Sequence, residues 1–248
     1  MEGSIELDKI LFLDIETVSV FSSWSDLDED GKQLWKKKSK FWLRGVEQPT
    51  EEDYAGIYNS KAAIYAEFGK IIVISAGFIS RTSAGMKIRI KSFIGETEKH
   101  LLEQFGRMLD QHYQIPGVYG ICGHNIKEFD IPYICRRMLI HGIKLPAMLQ
   151  VTGKKPWETK YLIDTLELWK FGDLKNFSSL NLLAYTLGIP SPKDDIDGSQ
   201  VGQIYYEEGD LERIKTYCEK DVLTVAQVYL RLSQLPLIEK DQVEIIKN

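Results

Sequence analysis

The chain has 248 residues, of which 44% are hydrophobic and 27% charged, enough apolar material for one large core or two small ones. Its formal charge of -5 excludes a protein that grips polyanions by bulk electrostatics, because phosphate binding without metals needs a basic surface; a carboxylate-rich site that recruits divalent cations escapes that exclusion. Cys122, Cys135 and Cys218 have no CxxC spacing and cannot all pair, which argues against a disulfide framework or a thiolate zinc site and for thiols in a reducing compartment.

The first residues, MEGSIELDKI, hold no basic stretch followed by an apolar run, and no apolar segment approaches the roughly 18 residues of a membrane span. A cytoplasmic protein is therefore the expectation. No repeat, low-complexity tract or Pro/Gly/Ser linker divides the chain, which predicts a single domain over residues 1–248.

Ile10 to Ile15 is almost continuously apolar and predicts a buried strand ending at the acidic pair Asp14 and Glu16. From Phe21 to Phe68 the sequence turns polar and aromatic without a sustained period, an excursion expected to hold one or two helices. Its basic run Lys36 to Lys38 predicts a solvated helix face in preference to a strand-binding element. Lys70–Ser80 and Met86–Ile94 predict two strands joined through RTSAG as a hairpin. Glu96–His112 carries Leu101, Leu102, Phe105, Met108 and Leu109 at helical spacing. A strand at Val118–Cys122 and a helix at Ile131–Ile140 follow, then a short strand at Tyr161–Ile163 leading into DTLELWK. SSLNLLAYTLGIP predicts a helix of about ten residues stopped by Gly188 and Pro190, and a long helix runs from about Asp210 to Leu232. Strand, hairpin, helix, strand, helix, strand and terminal helix make an α/β protein with a mixed sheet.

Three pieces carry carboxylates where chemistry would use them. Asp14 and Glu16 stand two apart in a strand, so both project from one face of the sheet and repel each other. Alone, such a pair is ordinarily solvated. GHNIKEFD, Gly123 to Asp130, joins an apolar strand to a helix with Pro132 in its first turn; Asp130 fits a helix cap as well as a functional carboxylate. In YCEKD, Tyr217 and Asp221 stand at i and i+4 on one helix face beside Ile214, Val222 and Val225. An aspartate at the edge of an apolar stripe needs a partner, because a buried unpaired carboxylate is costly. A metal would supply it.

Together, DIET at Asp14–Thr17, HNIKEFD at His124–Asp130 and YCEKD at Tyr217–Asp221 resemble the three motifs of the DEDD (DnaQ-like) 3′→5′ exonuclease superfamily. The likeness is nearest to stand-alone proteins similar to the proofreading domain of family-B DNA polymerases, and it extends over Ser178–Val201; the excursion matches least. Thr216 stands where the histidine type of this superfamily has its histidine and Tyr217 follows, so the resemblance is to the tyrosine type. His124 is then not the base, and His100, His112 and His141 are expected at the surface or in caps. A chain of 248 residues has no room for a polymerase domain, so proofreading in cis is not expected.

The resemblance implies a ribonuclease-H-like fold and two Mg²⁺ or Mn²⁺ ions, which favour hard oxygen ligands. One ion would be held by Asp14, Glu16 and Asp221; the second would be shared through Asp14 and reached by Asp130 mostly through water. It also implies in-line hydrolysis of a phosphodiester at a 3′ end, DNA favoured over RNA, with release of nucleoside 5′-monophosphates. Tyr217, with a reference pKa of about 10, would orient the attacking water rather than deprotonate it. Ile15, Thr17 and Phe129 would border the terminal nucleotide, and Asn125 would either bond the strand or fix the turn of its motif. An RNA-trimming exonuclease would use the same five residues, and two further readings are an inactive nucleic-acid-binding module of this fold and a hydrolase of another phosphodiester.

Overall fold

The computed structural model describes residues 5–82, 85–175, 177–190 and 196–247. Six strands build one mixed sheet: β1 (Ile10–Ser19), β2 (Gly69–Thr82), β3 (Gly85–Phe93), β4 (Gly120–Gly123), β5 (Leu162–Asp164) and β6 (Val243–Ile246). Their order is β5-β4-β1-β2-β3-β6, with β2 antiparallel to β1 and β3 and the other pairings parallel. This is the ribonuclease-H-like α/β arrangement, with the strand that runs against the rest beside the central one.

β1 is central because it can be buried on both faces. Its odd positions Leu11, Leu13 and Ile15 enter the core formed by α3 (Glu98–His112) and α4 (Asp130–Ile140). Its even positions Ile10 and Phe12 pack on Val222, Val225 and Ala226 of α8 (Leu211–Leu232), and Val18 packs on Ile214 and Tyr217 of the same helix. Each such side chain contributes about 1.5–3 kcal/mol on burial. At Gly77 of β2 an added Cβ would lie 3.1 Å from both Ile90 Cγ1 and Val222 Cγ1, so the lack of a side chain there lets α8 pack closely on the sheet.

The strand β1 is longer than its apolar run predicts. The fourteen-residue β2 supplies backbone partners to Ser19, with Asp14 opposite Ser75 and Glu16 opposite Val73, and a bulge follows where Ile72 has no partner. The acidic pair therefore lies within a strand rather than at its end. The α3, α4 and α8 spans follow the predicted periodicities to within a few residues, and Asp210 caps α8 by accepting from Arg213 N at 3.0 Å.

The excursion holds two helices, α1 (Glu29–Ser39) and α2 (Glu51–Lys61), closed around Trp35, whose ring is fully buried against Tyr58, Tyr65 and Phe68. After β5 come α5 (Thr165–Lys170), α6 (Leu180–Thr186) and the single turn α7 (Val201–Gln203), which runs into a π-type turn over Ile204–Glu208. Of the predicted hairpin connection, Ser83 and Ala84 lie outside the described residues, as do 191–195 of the stretch from Ser178 to Val201. Among the described residues, no helix is long and apolar enough to cross a membrane.

His141, expected at the surface or in a cap, is the C-cap residue of α4, and its side chain also has a buried partner. Its Nε2 lies 2.7 Å from Glu98 Oε2, and Glu98 also accepts from Arg137 Nε at 2.8 Å and Ile71 N at 2.7 Å, which ties α3, α4 and β2 together.

Candidate active site

Period-two alternation on β1 places Asp14 and Glu16 on the face covered by α8, where Glu16 is buried and Asp14 half-buried. One turn of α8 brings Tyr217 and Asp221 over the same strand, and Cys218 between them points straight at Asp14. Asp130 arrives from the other side. It is the first residue of α4, with Phe129 at the cap position, so Asp130 is not the N-cap residue, and its carboxyl is buried.

The carboxylates feel one another. Asp14 is raised well above the ordinary aspartate range, first by burial and then by the charges of Asp221, Glu16 and Asp130, with the Cys218 thiol acting in the opposite sense. Glu16 is likewise raised by burial, Asp221 and Asp130. Asp130 is pushed up to about 7 by burial, with its own backbone N–H and that of Ile15 partly offsetting the effect. No lysine or arginine among the described residues counters the charge on these three groups. Tyr217 is raised by burial and by Asp221, Glu16 and Asp14, which keeps its phenol protonated.

Buried carboxylates that oppose one another's ionisation are costly unless a cation joins them. Ligand atoms of Asp14, Glu16 and Cys218 lie within 4.8 Å of one another, with Asp130 and Asp221 acting on the first two electrostatically. The donor set is dominated by hard oxygens, which suits Mg²⁺ or Mn²⁺. The one sulfur belongs to a buried thiol whose pKa is pushed well above its usual value by burial and then by Asp14, so it serves as a hydrogen-bond donor rather than a thiolate ligand.

A hydrogen-bonded run behind the site was not foreseen. Cys218 Sγ donates to Asp14 Oδ2 at 3.4 Å; nearby, Ser75 and Ser92 share a 2.9 Å bond and Ser92 donates to buried Glu219 at 2.7 Å. Asp164 is another unforeseen group. It ends β5, caps α5 through Leu166 N at 3.0 Å, and accepts from Asn125 N at 2.9 Å and Lys127 N at 3.2 Å. The strand-to-helix boundary in LIDTLEL signals such a cap, but nothing local signals its reach to the turn at Asn125.

The bordering residues differ in what they present. Ile15 is buried in the core on the far face, so it offers its backbone rather than its side chain. Thr17 donates its hydroxyl to Ala63 O at 3.0 Å. Asn125 sits at φ 60° and its carbonyl accepts from Phe129 N at 3.0 Å, which makes it the turn of its motif; its side-chain amide makes no hydrogen bond among the described residues. Phe129 is partly buried with its ring 5.4 Å from that of Tyr133. Both nitrogens of His124 are engaged, Nε2 donating to Ser178 O at 2.8 Å and Nδ1 at 2.9 Å from the Thr165 hydroxyl, and burial lowers its pKa.

A family model described as "Predicted 3'-5' exonuclease related to the exonuclease domain of PolB" matches residues 64–242, more than two thirds of the chain. Asp130, Tyr217 and Asp221 lie within the match; Asp14, Glu16 and all but the last five residues of the excursion precede it. No curated protein matches the sequence.

Proposed function

Because the chain belongs to this family of predicted 3′-5′ exonucleases related to the PolB exonuclease domain, we propose that it shortens single-stranded DNA from its 3′ end, releasing nucleoside 5′-monophosphates. The observation that carries the reading is the gathering of Asp14 and Glu16 with Asp130 and Asp221: the last two oppose the ionisation of the first two, and no cationic side chain among the described residues relieves Asp14, Glu16 or Asp130.

Asp14 and Glu16 from β1, Asp130 from α4 and Asp221 from α8 would hold two Mg²⁺ or Mn²⁺ ions. When bound, these supply Lewis acidity at the scissile phosphate and a water acidic enough to attack it near neutral pH. The protein's own part is positioning. Asp14 is held in place by the Cys218 thiol, so this carboxylate is oriented before a substrate arrives. Tyr217, held protonated with its hydroxyl against Asp221, orients the attacking water and does not remove its proton. Phe129 and Thr17 border the terminal nucleotide, and the Asn125 amide is available to bond its phosphate or sugar. His124 has no free nitrogen and takes no part in proton transfer.

The test is digestion of a 5′-labelled oligonucleotide. Stepwise shortening from the 3′ end in Mg²⁺ or Mn²⁺, abolished by EDTA and by Asp14→Ala, is expected. Inactivity with both metals on every 3′-ended DNA and RNA strand would sink the reading, and faster release of monophosphates from RNA than from matched DNA would reverse the substrate.

A further inference from the structure

The excursion before β2 carries a feature that the carboxylates do not use. A groove of about 600 Å³ opens where β1 ends, lined by Leu27, Tyr58 and Phe68 and bordered by Phe21, Lys37 and Lys38. That volume lies in the range of sites for small molecules. The groove is tied to the active-site strand: Val20 N donates to Phe68 O at 2.8 Å, and Thr17 donates to Ala63 O just after α2. Phe21 is five residues beyond Glu16, at most roughly 17 Å along extended backbone.

The mouth of the groove is stiff and charged. Phe21 is 42% exposed, while its carbonyl accepts from Ser19 Oγ at 2.7 Å and its N–H donates to Tyr58 at 3.4 Å. A ring presented on a pinned backbone loses little freedom on stacking. Lys36 and Lys38 are paired with Glu51 and Glu67, which agrees with a solvated helix face for them. Lys37 is exposed and makes no ion pair among the described residues. Outward from it the chain continues basic and aromatic. Residues 36–44, KKKSKFWLR, hold five cations and no acid in a protein of net charge -5.

Rings and cations alternate there. Arg44 lies over the exposed Phe41 at 4.4 Å, and Lys61 lies over the exposed Trp42 at 5.0 Å. The Trp42 indole donates to Tyr65 Oη at 2.8 Å, which anchors this surface to the segment that also receives Thr17. Exposed rings beside cations, leading away from a carboxylate cluster, match a strand whose bases and phosphates alternate.

The geometry points to this groove and the stretch from Lys37 to Arg44 as the site that holds single-stranded nucleic acid on the 5′ side of the cleaved bond. Phe21, Phe41 and Trp42 take bases, and Lys37, Lys40 and Arg44 take phosphates. The assignment rests on the exonuclease reading and adds a strand-holding surface whose proposed base and phosphate contacts, Phe21 and residues 37–44, precede the family match.

The experiment is fluorescence anisotropy of labelled oligothymidylate and oligouridylate with the full chain in EDTA over a series of salt concentrations, so that binding is read without turnover. Lys37→Glu should weaken binding about fivefold at low salt and reduce the log–log salt slope by about one. Phe41→Ala should weaken it about tenfold. Both side chains are exposed, so neither change threatens folding. The two probes separate a DNA-holding from an RNA-holding surface. Unchanged affinity and slope in both variants would overturn the assignment, as would tighter binding of polyglutamate than of either strand. Weakened binding by the variants, with no hydrolysis by the wild type in Mg²⁺ or Mn²⁺, would leave the surface standing and sink the exonuclease reading alone.

Discussion

The thiol of Cys218 lies 3.4 Å from Oδ2 of Asp14 and donates to it from inside α8, fixing the carboxylate that the other three acids crowd. Hydrogen bonds to charged groups are worth about 1.5–3 kcal/mol, with thiol donors at the weak end. Cys218→Ala is expected to lower kcat by about tenfold with little change in KM, and Cys218→Ser by less, because a hydroxyl restores the donor. Steady-state release of monophosphates checks this. Equal losses in the two variants would mean that the volume of the sulfur, not its proton, matters.

The same burial should make the cysteines inert. Cys122 and Cys218 are pushed well above the usual thiol range by burial, Cys135 is pushed up to about 11 by burial, and all three are free and buried. A thiol reagent at pH 8 should label none of them in the native protein and all of them after denaturation. Rapid labelling of the native fold would contradict the packing of α8 on β1.

Stability without metal should fall as pH rises through the range where the acidic cluster ionises. Asp130, pushed up to about 7, keeps its proton in the folded protein while the unfolded chain loses it near 4. Between those values the folded state binds more protons, so unfolding free energy declines with pH, and Asp14 and Glu16 act in the same direction. Thermal melts in EDTA should show a lower Tm at pH 7.5 than at pH 5.5. Mg²⁺ or Mn²⁺ should restore it, by about 2.7 kcal/mol at a hundred times Kd. A flat profile in EDTA, or indifference to both ions, would deny the cluster its cations.

Glu98 works in the opposite sense, at lower pH. Burial alone would raise it, but hydrogen bonds from Arg137, His141 and Ile71 outweigh burial and lower its pKa, so its contribution is present above the unfolded value and lost as acid protonates it. Glu98 and Arg137 side chains are each only 7% exposed. Arg137→Met should therefore cost about 3–5 kcal/mol by stranding a buried charge, and it should shrink the loss of stability in acid. Urea titrations at pH 7 and pH 4 measure both effects.

What could be foreseen from sequence was whatever has a local period. Alternation on β1 put Asp14 and Glu16 on one face, and four-residue spacing put Tyr217 beside Asp221. Asp130 was ambiguous because a first-turn carboxylate and a cap look alike until the helix start is seen at Asp130 itself. The Cys218 contact spans 204 positions, and Cys218 sits within a motif already explained by its neighbours. β6 is four residues long and exists as a strand through its parallel pairing with β3, a partner more than a hundred positions away. Ile15 fits the border of a substrate by sequence neighbourhood, but the alternation that turns Asp14 toward α8 turns Ile15 into the core on the opposite face.

Asp164 controls the turn that delivers Asp130. It accepts from Asn125 N and Lys127 N on one side and Leu166 N on the other, and so fixes Asn125 at φ 60°, a left-handed conformation that asparagine adopts more readily than most residues. Asp164→Ala should therefore lower stability by about 2–3 kcal/mol and let the turn relax, reducing kcat more than it raises KM. Asp164 also acts at a distance, since its charge adds to the rise of Asp130. Asp164→Asn keeps the side-chain shape and removes the charge, so the acid limb of the pH–rate profile should move to lower pH even where kcat at its plateau is mostly retained. A cap with no influence on the site would lower stability in both variants and leave that limb where it is.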